Sequence, residues 1–121
     1  MDFEEIEKLD CEGRYEAFLT MVAEEREVWI LVNEKSEFLK IQSEDHAIEY
    51  LPVWPHSDFT RYHSSDSSQV LSAKCIFLPE FFTKWIPGLE GDGLKVGVFP
   101  NKGSDIWVME PSELKADLLD V

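Results

Sequence analysis

The chain is poor in positive charge, in cysteine and in long apolar runs, and each shortage closes off a class of function. Against 25 Asp and Glu it sets only 11 Lys and Arg, a net charge of −14 over 121 residues. A surface of that sign repels phosphate backbones and anionic lipid headgroups, so neither nucleic-acid nor membrane binding is expected. The two cysteines, Cys11 and Cys75, share no Cys-x-x-Cys spacing, so neither a zinc knuckle nor a dithiol redox motif is encoded. The longest unbroken apolar run is Val28 to Val32, far short of the ~20 residues of a membrane-spanning helix. Met1 to Asp10 is acidic and lacks the basic-then-apolar order of a secretion signal. The expected compartment is the reducing cytoplasm.

What is present is enough apolar surface for a core. Hydrophobic residues make up 44% of the chain and include 8 Phe, 4 Trp and 3 Tyr, more than a disordered chain carries. The length fits one domain, 1–121, with 1–9 read as a loosely ordered N-terminal extension in which Phe3, Ile6 and Leu9 suit a short extra turn.

Tyr15, Phe18, Leu19 and Val22 fall at i, i+3, i+4 and i+7, so Asp10 to Arg26 reads as a helix with one buried stripe. Val28 to Val32 is a strand dense enough to be covered on both faces. Asn33 to Ser36 supplies a turn, Phe38 to Ile41 a second strand, and Ser43 to His46 a polar bend. Ile48 to Trp54 is a third strand, in which Pro52 marks an edge or an end. These three look like an antiparallel meander. Pro55 to Tyr62 reads as a short helix and Ser64 to Ser68 as a mobile loop. Val70 to Phe77 alternates so that Leu71, Ala73, Cys75 and Phe77 share an apolar face. Pro79 to Ile86 is a helix that stacks Phe81 on Trp85 and is stopped by Pro87-Gly88. Leu94 to Phe99 and Asp105 to Met109 form a hairpin across Pro100 to Ser104. Pro111 to Asp120 closes the chain as a helix docked through Leu114, Leu118 and Val121. Strands following strands, without strict alternation, predict an α+β fold: a mainly antiparallel sheet of five to six strands with about four helices covering one face.

The segment Phe81 to Asn101, FFTKWIPGLEGDGLKVGVFPN, resembles the small bacterial family described as domain of unknown function 2750. Arg14-Tyr15 with Phe18, Val28-Trp29, Leu51-Pro52-Val53-Trp54-Pro55 with Phe59, and Pro111 with Glu113-Leu114 agree with it in order. The resemblance spans nearly everything from Arg14 onward. It implies a compact, soluble bacterial domain without an assigned activity, and so carries over no catalytic residues.

Side chains that suggest chemistry each have a plainer explanation. His56 and His63 are seven apart, about 10 Å along one helix, too far to share a zinc ion whose ligands stand at ~2 Å. Adding Asp58 or Asp66 gives no standard ligand spacing, and His46 stands apart, so no metal is expected. Cys75, on the apolar face of its strand, reads as a buried inert thiol, although His56 or His63 approaching it would make a nucleophile. Cys11 lies near a helix start that lowers thiol pKa values, opposed by Asp10, Glu12 and Glu16. Gly88, Gly91 and Gly93 follow a helix instead of preceding one and carry Glu90 and Asp92, so they cap and turn the chain and do not cradle phosphate. The adjacent acid pairs Glu4-Glu5, Glu24-Glu25 and Glu44-Asp45 point apart into water and do not form a catalytic dyad.

The function expected from these residues is non-catalytic, with no cofactor: a protein that engages a basic protein partner through an acidic surface, as immunity or antitoxin-like proteins do. Glu12, Glu16, Glu24 and Glu25 are its candidate contacts, together with Trp107 if that side chain faces outward. The alternative is a small-molecule-binding domain or minor enzyme with a pocket near His56, Tyr62, His63 and Cys75.

Overall fold

The architecture follows from a computed structural model that describes residues 3–42, 48–60, 70–100 and 106–121. The expected Ser43 to His46 bend and Ser64 to Ser68 loop lie outside the described residues, as do Tyr62, His63, Asp66 and most of the Pro100 to Ser104 turn. The elements are α1 (Phe3–Glu7), α2 (Cys11–Glu25), β1 (Glu27–Val32), β2 (Ile41–Gln42), β3 (Glu49–Val53), a 3-10 turn (Ser57–Thr60), β4 (Ser72–Phe77), α3 (78–91), β5 (Lys95–Val98), β6 (Trp107–Met109) and α4 (Pro111–Leu119). The fold is α+β.

Local chemistry sets both ends of α2. The Asp10 carboxylate accepts the Gly13 N–H at 2.8 Å and satisfies one of the orphan donors of the first turn. Arg26, left-handed at φ 62°, sends its N–H back to the Val22 carbonyl at 2.7 Å and ends the helix. Tyr15, Phe18 and Val22 are buried as their spacing predicts, Leu19 is half-buried, and Met21 and Arg14 join the buried side. Phe18 and Val22 are fully enclosed, and each such burial stabilises the fold by about 1.5–3 kcal/mol.

The six described strands divide into two sheets, β1-β4 and β2-β3-β5-β6, where a single sheet was expected. The Asn33 side chain drives the division. Its Oδ1 accepts N–H bonds from Lys35 and Glu37 at 2.9 and 3.0 Å, and Ser36 turns left-handed at φ 66°. The returning chain meets β1 at Phe38, bridged to Val32, and at Leu39, whose N–H reaches Leu31 O. It then leaves, so the expected strand Phe38 to Ile41 shrinks to Ile41–Gln42 and pairs with β3 in the other sheet.

β3 joins the two sheets. It is antiparallel to β2 through Tyr50↔Ile41, as the meander expects, and also parallel to β5 from Tyr50↔Lys95 to Val53↔Val98. The meander departs from expectation only in that β1 meets these two segments through isolated bridges and not as one sheet. Val53 turns its carbonyl toward β5, accepting the Phe99 N–H at 2.8 Å, while Trp54 exchanges two 2.9 Å backbone bonds with Trp29 of β1. By strand alternation Pro52 faces the side where β2 has already ended, so its missing N–H leaves no ladder bond unmade. Pro52 therefore sits inside a strand at a local edge. Opposite it is Gly97.

β4 presents the face opposite to the one expected. Ile76, across from Val28, is 1% exposed, whereas Phe77 is 64% exposed and Cys75 half-buried. Alternation gives the period of a strand but not its side. The side is decided here by Val28, which points into the core and draws its partner with it.

α3 also runs past its expected stop. Pro87 and Gly88 lie within it, because residues Phe81–Trp85 form a π turn whose Ile86 N–H reaches back five residues to Phe81 O. The widened turn shifts the ladder, so the carbonyl that the Pro87 ring would strike in an α-helix is moved aside. Phe81 then enters the core, and Trp85 turns edge-on to Phe38 with centroids 5.4 Å apart, instead of stacking on Phe81. Gly93, at φ 72°, takes the left-handed turn into β5. α4 buries Leu114 and Leu118, but Val121 lies past its end and is 62% exposed.

The core gathers Phe18, Ile30, Leu51, Trp54, Phe81, Phe99 and Leu114 from α2, both sheets, α3 and α4. At its centre Phe99 is left-handed at φ 55° yet completely buried, with its ring 4.5 Å from Phe59. Arg14, 3% exposed, donates from Nε to Phe99 O at 3.1 Å and from Nη1 to Leu9 O at 2.5 Å. Trp54 donates its indole N–H to Pro100 O at 3.0 Å. No described helix is long and apolar enough to cross a membrane.

Candidate functional site

The acidic side chains singled out from the sequence are set on one helix. Glu12, Glu16 and Glu24 share an i+4 row on α2 with Thr20, all exposed, and Glu25 is exposed beside them. Among the described residues no ion pair involves any of the four, so their charge is open to a partner. Trp107 of β6 stacks on Tyr15 of α2, with centroids 5.1 Å apart and planes 17° from parallel, while remaining 38% exposed. It is therefore both packed and accessible. Burial first, then the hydrogen bond its hydroxyl donates to Asp117 of α4, then the charges of Asp117 and Glu113, push the Tyr15 hydroxyl above its ordinary pKa. The phenol stays neutral and ties α2 to α4 beneath the indole.

A second concavity lies at the other end of α2. It is a pocket of about 340 Å³ lined by Met21, Trp29, Pro55 and His56 together with Glu24, Glu25 and Glu27. The His56 ring stands 6.4 Å from Trp29, and its Nδ1 accepts the Asp58 N–H at 3.1 Å. Cys75, the cross-strand partner of Trp29, does not meet a histidine among the described contacts. Its thiol reaches Glu27 Oε2 at 2.9 Å. Desolvation, that hydrogen bond and the carboxylate charge push the thiol up to about 12, the opposite of what a nucleophile needs. Cys75 is half-buried, and partial desolvation and the Glu27 carboxylate both hold its thiol in the neutral form.

Among the described residues no three of His, Cys, Asp or Glu are grouped to hold a metal ion. Gly88 lies within α3, Gly91 ends it and Gly93 makes the turn, so the glycine-rich stretch caps and redirects the chain. Phe38, Trp85 and Leu89 line a smaller hollow of about 200 Å³. Two functional-looking arrangements had no sequence signal. Tyr15 fits the core stripe of α2, and nothing local shows that Trp107, 92 positions later, covers it. Nor does anything local place Trp29 and His56 in one pocket wall.

Arg14, Trp54, Phe59, Phe99 and Pro100, all landmarks of the sequence resemblance, meet in the core. A comparison with curated proteins finds no match. Residues 15–118, most of the chain, match the family described as a protein of unknown function, DUF2750, and the chain belongs to that family.

Proposed function

We propose that this protein is a non-catalytic, cytoplasmic binding protein that covers a basic protein partner with the acidic face of α2, in the manner of an immunity or antitoxin-like protein. The observation that carries the reading is the exposed row Glu12, Glu16 and Glu24, which makes no ion pair among the described residues, on the same helix whose Tyr15 carries the half-exposed Trp107. Carboxylates without intramolecular partners steer a cationic surface into place and raise its on-rate. A tryptophan held flat by a second ring supplies contact area at low entropic cost, as binding hot spots do. The raised Cys75 thiol and its carboxylate neighbour support a role other than nucleophilic catalysis.

The test compares three tagged proteins as baits in lysate of the source cell, at low and at moderate salt: wild type, E12K/E16K/E24K and W107A. Wild type retains a basic protein that the triple variant loses, and W107A weakens retention at moderate salt, where the Debye length falls to about 8–10 Å. Capture of no basic protein, or equal capture by wild type and the triple variant, refutes the reading.

The pocket beside His56 favours the second reading, a small-molecule domain, through its volume of about 340 Å³, within the range of ligand sites. Thermal-shift screening against metals and metabolites tests it. A flat screen removes its support.

A further inference from the structure

We propose that the pocket at the C-terminal end of α2 receives an arginine side chain of the basic partner, so that partner binding is anchored there by one inserted guanidinium. The inference rests on the acidic-face reading and adds to it the place and chemistry of the anchor.

Three observations converge. The pocket, about 340 Å³ in volume, is lined by an indole and an imidazole, Trp29 and His56, and by the carboxylates of Glu24, Glu25 and Glu27, of which Glu27 keeps one oxygen beside that bonded to the Cys75 thiol. A planar cation satisfies both surfaces at once, stacking on the aromatic wall while its N–H fork meets carboxylate oxygens. Second, Glu24 and Glu25 occupy the last turn of a 15-residue helix that has no base in that turn. The helix dipole places negative potential there already, so two more negative charges oppose helix stability and favour a bound cation. Arg26, next in the chain, is exposed and takes no part in the pocket wall. Third, the pocket continues the acidic row, because Glu24 belongs to both. A partner laid along Glu12 and Glu16 thus brings a side chain to Trp29. Arginine is favoured over lysine because a compact, strongly hydrated ammonium gains less from an aromatic wall.

The experiment titrates the whole chain with N-acetylarginine methylamide, its neutral citrulline counterpart and a short oligoarginine peptide, following the Trp29 indole N–H and the Glu27 amide by NMR. Blocked arginine is expected to shift both signals saturably with millimolar affinity, as a fragment of that size allows. E24Q/E25Q is expected to weaken it about tenfold, whereas E12Q/E16Q leaves it unchanged and the citrulline compound moves neither signal. Absence of a saturable shift, or an equal response to citrulline, overturns the proposal. Oligoarginine that perturbs the Glu12 and Glu16 amides but not Trp29 overturns the pocket alone and leaves the acidic-face reading standing. Oligoarginine that fails to bind at low salt overturns both.

Discussion

Replacing Gly97 by alanine tests how β3 and β5 are packed. A Cβ at that position would stand 2.4 Å from Tyr50 Cδ2, 2.6 Å from Cε2 and 2.8 Å from Ile106 Cδ1. Ordinary carbon contacts are about 3.5–4.0 Å, so the Tyr50 ring must retreat by about 1 Å. It has little room, since Tyr50 is 9% exposed. Overpacking of this kind costs about 1–3 kcal/mol, and the stiffer unfolded chain of alanine returns about 0.5–1 kcal/mol. The net expectation is a loss of about 1–2 kcal/mol, or roughly 5 °C in Tm for a domain of this size. Urea and thermal unfolding followed by circular dichroism measure it. The same change in a Y50A background should lose most of its penalty, because the ring is gone and only the terminal Cδ1 of Ile106, 2.8 Å away, still has to move. A G97A protein as stable as wild type, or an equal penalty in both backgrounds, would show that the ring does not set the requirement for glycine.

Other perturbations follow from single contacts. D10A removes the side chain that accepts the Gly13 N–H and should cost about 1 kcal/mol in urea unfolding, with D10N nearly neutral; equal losses for both would discount the cap. W54F leaves Pro100 O without the indole donor and should cost at least ~1–3 kcal/mol, visible as a lower midpoint; an unchanged midpoint would mean that water replaces the donor. The Cys75 thiol, raised to about 12, should react slowly with iodoacetamide at pH 8 in a C11S background, and E27Q should speed it. Because the folded pKa lies above the unfolded one, any stability from the neutral thiol is complete below pH ~8.5. It is lost as pH rises toward 12, and an E27Q protein that reacts no faster than its parent would contradict the role given to the carboxylate.

How far the sequence could be read depended on whether the deciding contact was local. α2 was legible to within a residue because Asp10, the stripe and Arg26 all lie within one segment. α4 was legible for the same reason, apart from Val121 beyond its end. β4 ended where expected but began two residues later, at Ser72, and showed the wrong face, since Ile76 is drawn inward by a strand more than forty residues earlier. The parallel pairing of β3 with β5 and the split into two sheets depend on contacts of the same long range. The π turn escaped because Pro87-Gly88 ordinarily ends a helix, and only the Ile86-to-Phe81 bond shows how this one continues. At the candidate surface, the exposure of Glu12, Glu16, Glu24 and Glu25 followed from helical phase. The Tyr15–Trp107 stack and the Trp29–His56 wall did not, as each joins elements distant along the chain.

The left-handed Phe99 carries one more consequence. Its peptide unit is gripped by β3 through its N–H, by α2 through Arg14 on its carbonyl, and by Trp54 on the carbonyl after it. A backbone in that region relaxes once its restraints go, so the grip works as a latch: loosening any one element lets the dihedral spring back and releases the other two. Amide protons of Phe18, Val53 and Val98 should therefore exchange through a single opening event at one shared rate, with no separate fraying of the first long helix.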